Sequence, residues 1–216
     1  MIPEASVRRI GRVAQGSLPD ASAWSTIAAL ALRRAQDGGA VAQATAVRVA
    51  HDGERLLVRF DCDDRDVWAT RTKRDDALWE EEVVEVFLAP GAGDPTAYVE
   101  IQVNPLGTIF DARVSNPEGR RETMRVDRSW DVQGIEVAIE RSPTGWSASI
   151  GMPWAELTLG EPSPVWRANF FRIERPRDGE GEFSCWSPTR VDPPDFHKPR
   201  SFGRLLVDRA GQVAAR

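Results

Sequence analysis

Between Leu78 and Asp111 the chain reads LWEEEVVEVFLAPGAGDPTAYVEIQVNPLGTIFD, and its alternation predicts a β-hairpin. In the first arm, Val83 to Leu88, the two-residue period of a strand puts Val84, Val86 and Leu88 on one face and Val83, Glu85 and Phe87 on the other. The second arm puts Val99, Ile101 and Val103 on one face and Tyr98, Glu100, Gln102 and Asn104 on the other. Turn-forming residues from Ala89 to Thr96 join the arms, and Pro105-Leu106-Gly107 ends the second. The β-branched row demands a core. The polar row is either solvated surface or the floor of a polar site. Glu85 in an apolar arm, with Trp79 at its entrance, favours the site.

The same pattern continues on both sides of the hairpin. Ala44 to Ala50 and Arg55 to Cys62 read as strands joined by a turn at His51-Asp52-Gly53-Glu54. Strands are predicted over Thr108 to Arg113 and within Trp130 to Arg141, where Ile135, Val137 and Ile139 share a face. Further strands are Trp146 to Ile150, Val165 to Glu174, Phe183 to Pro188 and Phe202 to Val207. Pro19 to Arg34 is ambiguous between helix and a wrapping segment, and Pro153-Trp154 opens a short helical turn. A charged, irregular stretch from Arg65 to Asp76 is anchored by Trp68, and Pro162 to Pro164 is a linker turn. Many short strands with Pro and Gly turns and little helix predict an all-β fold, an antiparallel β-sandwich with short helical turns. Residues 17–208 form the domain, with 1–16 a tail or edge strand and 209–216 a frayed tail.

Length and charge narrow this picture. The 216 residues suit one sandwich domain, and a net charge of −5 argues against nucleic acid as the partner. No apolar run approaches the ~20 residues of a membrane span, so no membrane is expected as a partner. The N-terminus lacks an apolar segment with a small-residue cleavage site, so the chain reads as cytoplasmic, or as a secreted form whose signal has been removed. Cys62 and Cys185 are read as two free thiols rather than a disulfide framework. Eight Trp against one Tyr exceed what a core of this size demands, which points to flat apolar contact elsewhere.

Several ordered motifs carry a resemblance. They are Leu56-Leu57-Val58 before Asp61-Cys62-Asp63-Asp64; Leu78-Trp79-Glu80 with Val84-Glu85-Val86-Phe87; and Gln102-Val103-Asn104-Pro105 with Gly107. Pro153-Trp154, Asn169-Phe170-Phe171-Arg172, Trp186-Ser187 and Pro199 with Phe202-Gly203 and Leu205 follow. Together they resemble the family 9 carbohydrate-binding modules, within the DOMON-like β-sandwiches of jelly-roll or immunoglobulin-like kind. The resemblance implies non-catalytic binding of a mono- or oligosaccharide, or of a polysaccharide chain end, in an aromatic clamp. It makes Trp79 one plate and Phe196 the second, where the family has Trp; Trp186 is an alternative plate. It makes Glu85 an acceptor for sugar hydroxyls, with Gln102 on the neighbouring strand. Glu100, Asn104 and Asn169 complete the polar set, and Arg172 takes the place of the amides missing at Phe171 and Ile173. It also implies a structural calcium, for which Asp61, Asp63 and Asp64, with Asp66, could supply hard oxygen ligands; no other cofactor is required.

Three other readings stay open. A glycoside hydrolase would need a carboxylate pair, for which Glu82, Glu85 and Glu100 are the candidates. A haem-binding relative would need an axial ligand, and the only histidines are His51 and His197. An interaction or scaffold domain would have lost sugar binding, as Phe196 in place of Trp suggests.

Overall fold

The computed structural model describes residues 2–158 and 163–208. The tail at 209–216 and part of the turn at Pro162 to Pro164 therefore lie outside the described residues. The strands form two packed layers. The first comprises β1 (Glu4–Arg9), the short β2 (Leu30–Ala31), β4 (Thr45–His51), β5 (Arg55–Asp63), β10 (Glu136–Ser142) and β11 (Gly145–Pro153). The second comprises β3 (Arg33–Arg34), β6 (Val83–Pro90), β7 (Ala97–Val103), β8 (Ile109–Ser115), β9 (Arg125–Asp127), β12 (Val165–Glu174), β13 (Glu182–Cys185) and β14 (Gly203–Val207). The path through both layers is β10-β11-β5-β4-β1-β14-β12-β6-β7-β8-β9.

The chain start differs from expectation. β1 is neither a tail nor an edge. Glu4 to Val7 pair with β14, and Arg8 and Arg9 pair with β4, both in parallel, so one strand joins the two layers. Every other pairing is antiparallel among the described residues. The ambiguous stretch after Pro19 resolves into a one-turn helix, α1 (Ala21–Ser25), capped by the Asp20 carboxylate on the Ala23 N–H, followed by β2 and β3. The Pro153-Trp154 turn is α2 (Trp154–Leu157).

The predicted alternation sets the core. Val84, Val86 and Leu88 of β6 and Val99, Ile101 and Val103 of β7 point inward against Val58, Phe60 and Ile150 of the facing layer, all fully buried. Trp186 belongs to this inner core, packing on Phe170 and against Gly203. A Cβ on Gly203 would stand 2.4 Å from the Trp186 ring, so only glycine permits that approach. Cys62 and Cys185 are both buried free thiols in different clusters, and desolvation pushes each thiol up to about 12.

The outer face of the second layer is also covered. Val83, Phe87, Tyr98, Phe110, Phe171 and Phe202 form a second apolar cluster there, roofed by the loops that bear Met124 and Phe196. That roof buries the polar row of β7 and makes the site.

Candidate functional site

Glu85 on β6 faces Gln102 on β7 in register, with Glu100 two residues along on the same outer face. The row expected to be floor or surface is floor: Glu85, Glu100 and Gln102 are all buried. They line a cavity of about 260 Å3 whose walls include Trp79, Phe110, Arg121, Arg128, Arg175 and Phe196.

Each wall is built locally. Trp79 sits in a single 3-10 turn, Leu78–Glu80, ahead of β6. Leu78 is buried as its anchor, and just ahead of the turn the Asp76 carboxylate accepts from the Ala77 N–H at 2.8 Å. Glu81 ties the turn to the preceding loop by accepting from the N–H of Thr70 at 2.7 Å and of Arg71 at 3.2 Å. Trp79 is half-buried and meets Phe110 edge-on at 5.3 Å between ring centroids. Phe196 is stacked on Phe171 at 4.2 Å and meets Phe183 edge-on at 5.9 Å.

The two roof loops hold each other. Asn116 Nδ2 donates to the His197 carbonyl at 3.1 Å, and Arg121 Nε donates to Asp195 Oδ1 at 2.9 Å. His197 is clamped beneath by a 2.7 Å hydrogen bond between its Nδ1 and the Tyr98 hydroxyl. Burial, with the charge of Arg121, lowers the His197 imidazole to about 4, so the ring is neutral near pH 7.

The floor is unusual in charge. Desolvation first, and the neighbouring Glu100 second, push Glu85 well above the usual carboxylate range. Desolvation raises Glu100 to about 7 against the opposing pull of a 2.7 Å hydrogen bond from Gln102 Nε2 and the charges of Arg121 and Arg128. The other end of that amide, Gln102 Oε1, is buried with no hydrogen-bond partner among the described residues. The floor therefore offers a carboxyl pair biased towards the neutral acid and one unsatisfied acceptor.

The cavity gathers Trp79, Glu85, Glu100, Gln102 and Phe196 from the sequence-derived set, and the rest lie elsewhere. Asn104 accepts from the N–H groups of Leu106 and Thr108 at 3.0 Å and donates to the Arg71 carbonyl at 2.8 Å; it braces a turn. Asn169 trades two hydrogen bonds with the Ser187 backbone, at 2.8 and 2.9 Å. Arg172 shares the strand face of Phe170 and points between the layers. There it donates to Asp64 at 3.0 Å, the Asp63 carbonyl at 2.7 Å and Thr45 at 3.2 Å, with Glu82 at 3.6 Å. Trp186 lies in the inner core. Glu82 belongs with Arg172 and also accepts from the Arg175 N–H, so it does not join the carboxylates of the floor.

The loop carboxylates expected to hold calcium do not fit that ion. Asp61 lies between Arg48 at 2.5 Å and Arg59 at 2.8 Å, Asp64 is spent on Arg172 and Asp66 on Arg177, and together with Asp63 they do not bring their oxygens to one point among the described residues. Among the described residues, the carboxylates that do converge are Asp75, Asp111 and Asp131, and Arg74 already bridges Asp111 at 2.6 Å and Asp131 at 3.0 Å.

Sequence reasoning missed Phe110, Arg121, Arg128 and Arg175. Phe110 carried a signal, since Gln102 pairs with it in register and it therefore shares the outer face. The arginines carried none, because they sit on loops without a period and reach the cavity by length. Arg128 holds its guanidinium carbon 5.3 Å from the Trp79 ring centroid and 5.6 Å from that of Phe110.

The sequence model of carbohydrate-binding family 9 matches residues 35–207. The chain belongs to carbohydrate-binding family 9. Solved structures share the family 9 fold along almost the whole chain. A Bacteroides uniformis protein provisionally called carbohydrate-binding superposes with a TM-score of 0.76 at 20% identity, covering 95% of this chain and 99% of its own. A family 9 module from Caldicellulosiruptor kristjanssonii in complex with cellotriose superposes with a TM-score of 0.67 at 12% identity, covering 99% and 97%. The same organism's family 9 module in complex with glucose gives a TM-score of 0.65 at 11% identity, covering 98% and 100%. In sequence, an extracellular protein of Arthroderma benhamiae is 23% identical over 172 residues, 75% of this chain and 78% of the relative. Family 9 modules are binding domains, and membership supports carbohydrate binding as the role of this one.

Proposed function

We propose that the cavity beneath the roof loops binds a single sugar ring at the end of a glycan, without turnover. The observation that carries this is the unsatisfied Gln102 Oε1 in a floor of hydrogen-bonding groups, enclosed by the rings of Trp79 and Phe196. Sugar rings present apolar C–H faces to aromatic walls and hydroxyls that pair with exposed donors and acceptors. A buried acceptor without a partner costs about 1–3 kcal/mol, and a sugar hydroxyl would recover it. At about 260 Å3 the cavity is smaller than the ~300–1,000 Å3 of drug-sized sites, which suits one ring rather than an extended chain.

The same floor argues against hydrolysis. Glycoside hydrolases place two carboxyl groups on either side of the scissile bond, and in the common mechanisms one of them stays ionised. Here Glu85 and Glu100 lie on neighbouring strands of one floor, and both are pushed towards neutrality. The two carboxyls hydrogen-bond hydroxyls in this reading, with Gln102 fixing the orientation of Glu100.

Titration of intrinsic tryptophan fluorescence with a panel of mono- and disaccharides tests the proposal. Saturable emission changes are expected in the wild type and their loss in Trp79→Ala. No change with any sugar at millimolar concentration would sink the reading. Release of labelled sugar from reducing-end-labelled glycans would replace it with hydrolysis.

A further inference from the structure

Two arginines of this cavity, Arg128 and Arg175, are not arranged as the arginines that brace the layers are, though Arg113 rests on Trp130 in the same way elsewhere. Arg55, Arg59 and Arg172 each end on carboxylates at 3.0 Å or less. Arg128 and Arg175 instead end on rings. Arg128 lies over Trp79, and Arg175 holds its guanidinium carbon 5.3 Å from the centroid of Phe183. Among the described residues neither forms a salt bridge, and Arg175 Nε is buried with no hydrogen-bond partner. A ring face positions a guanidinium without neutralising it and leaves its N–H edges free to donate.

We infer that the ligand of this site is an anionic sugar, a hexuronic acid ring at a glycan end, whose carboxylate is met by the guanidiniums of Arg128 and Arg175. The inference rests on the sugar-binding reading above and adds the class of sugar. Arginine suits a carboxylate because its planar fork donates two parallel hydrogen bonds to the two oxygens. A neutral hexose would leave the half-buried Arg175 without a counter-charge, while Arg128 is exposed to solvent. The floor supports the division of labour. Its carboxyl pair is held near neutrality by burial, so it does not repel an anion and remains able to pair with hydroxyls. Arg121 adds positive charge at the rim, where Asp195 is shared between it and Lys198 at 2.9 and 2.7 Å.

Calorimetric titration with the methyl glycosides of glucuronic acid and glucose, in low and moderate salt, tests this. At pH 6 and low salt the uronide is expected to bind about tenfold more tightly than the glucoside, with the ratio falling to about threefold when salt shortens the screening length. Arg128→Gln and Arg175→Gln are each expected to shrink the low-salt ratio by about threefold or more. Acetate serves as a carboxylate without a ring, and it should not displace the uronide at equal concentration. If the glucoside binds as tightly as the uronide and Trp79→Ala weakens both, the acid preference is wrong and the sugar site stands. If neither glycoside binds, this inference fails, and the titration with the sugar panel decides the site reading by itself. If acetate competes as well as the uronide, the arginines hold an adventitious anion only.

Discussion

Two clusters of arginine and carboxylate sit on opposite faces of β12 and β6, and they differ in where their unsatisfied groups face. On the inner side Arg172 is met by Asp64, Thr45, the Asp63 carbonyl and, more distantly, Glu82. On the outer side Arg128 and Arg175 rest on rings, Gln102 Oε1 has no partner, and Glu85 and Glu100 are driven towards the neutral acid. The carboxyl groups are buried in both places, but Arg172 is buried while Arg175 is half-buried and Arg128 exposed. The first cluster spends most of its hydrogen bonds within the chain, with Arg172 Nε and Glu82 Oε2 left over between the layers, and ties the layers together. The second leaves donors and acceptors facing a cavity, which is the condition for holding something else.

The largest effect should come from opening the closed cluster. Arg172→Ala would leave Asp64 and Glu82 buried without their cation, and denaturant unfolding should show a loss of about 3–5 kcal/mol. A loss below about 1 kcal/mol would show that this cluster, too, is accessible to water. Next is Trp79→Ala, which should weaken sugar binding by about 2 kcal/mol or more, read by calorimetry, with little change in the unfolding midpoint because the ring is only half-buried. Asn104→Ala should do the reverse, costing about 1–2 kcal/mol of stability by uncapping the turn before Thr108 while leaving sugar affinity in place. If it abolished binding with the fold intact, the boundary drawn around the site would be misplaced.

A last effect concerns pH. Glu100 has a folded pKa of about 7, above its ordinary value of 4.5, so the unfolded chain sheds this proton first as pH rises. Stability linked to Glu100 is therefore complete below about 4.5, is lost as pH climbs from there to about 7, and then levels off. Other buried acids, Glu82 among them, titrate in an overlapping range, so the wild-type curve alone does not isolate this one. The comparison with Glu100→Gln does. The variant should gain up to about 3 kcal/mol relative to wild type between the two ends of that window, measured as the difference in thermal midpoint. A difference that does not change with pH would place Glu100 in contact with water.

Much of the outer site was legible because a strand has a period of two. Glu85, Glu100 and Gln102 fell on one face by counting, and the structure keeps them there. The same counting separates Arg172 from Asn169, Phe171 and Ile173, since it shares parity with Phe170 on the inner face; its assignment to the sugar set came from resemblance and ran against that parity. Asn104 lies one residue past the end of β7, where a turn claims the side chain before the strand face can present it. Arg128 and Arg175 could not be found this way. Each lies outside the regular strands and reaches the cavity on a long flexible stem, so its position depends on which ring it meets and not on where it stands in a repeat. β1 escaped for a related reason. Its short run alternates weakly, and its place is fixed by partners far along the chain.

That last feature bears on how the molecule assembles. Glu4 to Val7 find their partners at Arg204 to Val207, so this pairing spans almost the full sequence. On a ribosome, the strand that links the two layers is made first and finds this flank last. Until the distal end arrives, its open edge is a template for other strands, and closing so long a loop is slow. The step that completes the sandwich is thus also its period of greatest exposure to aggregation.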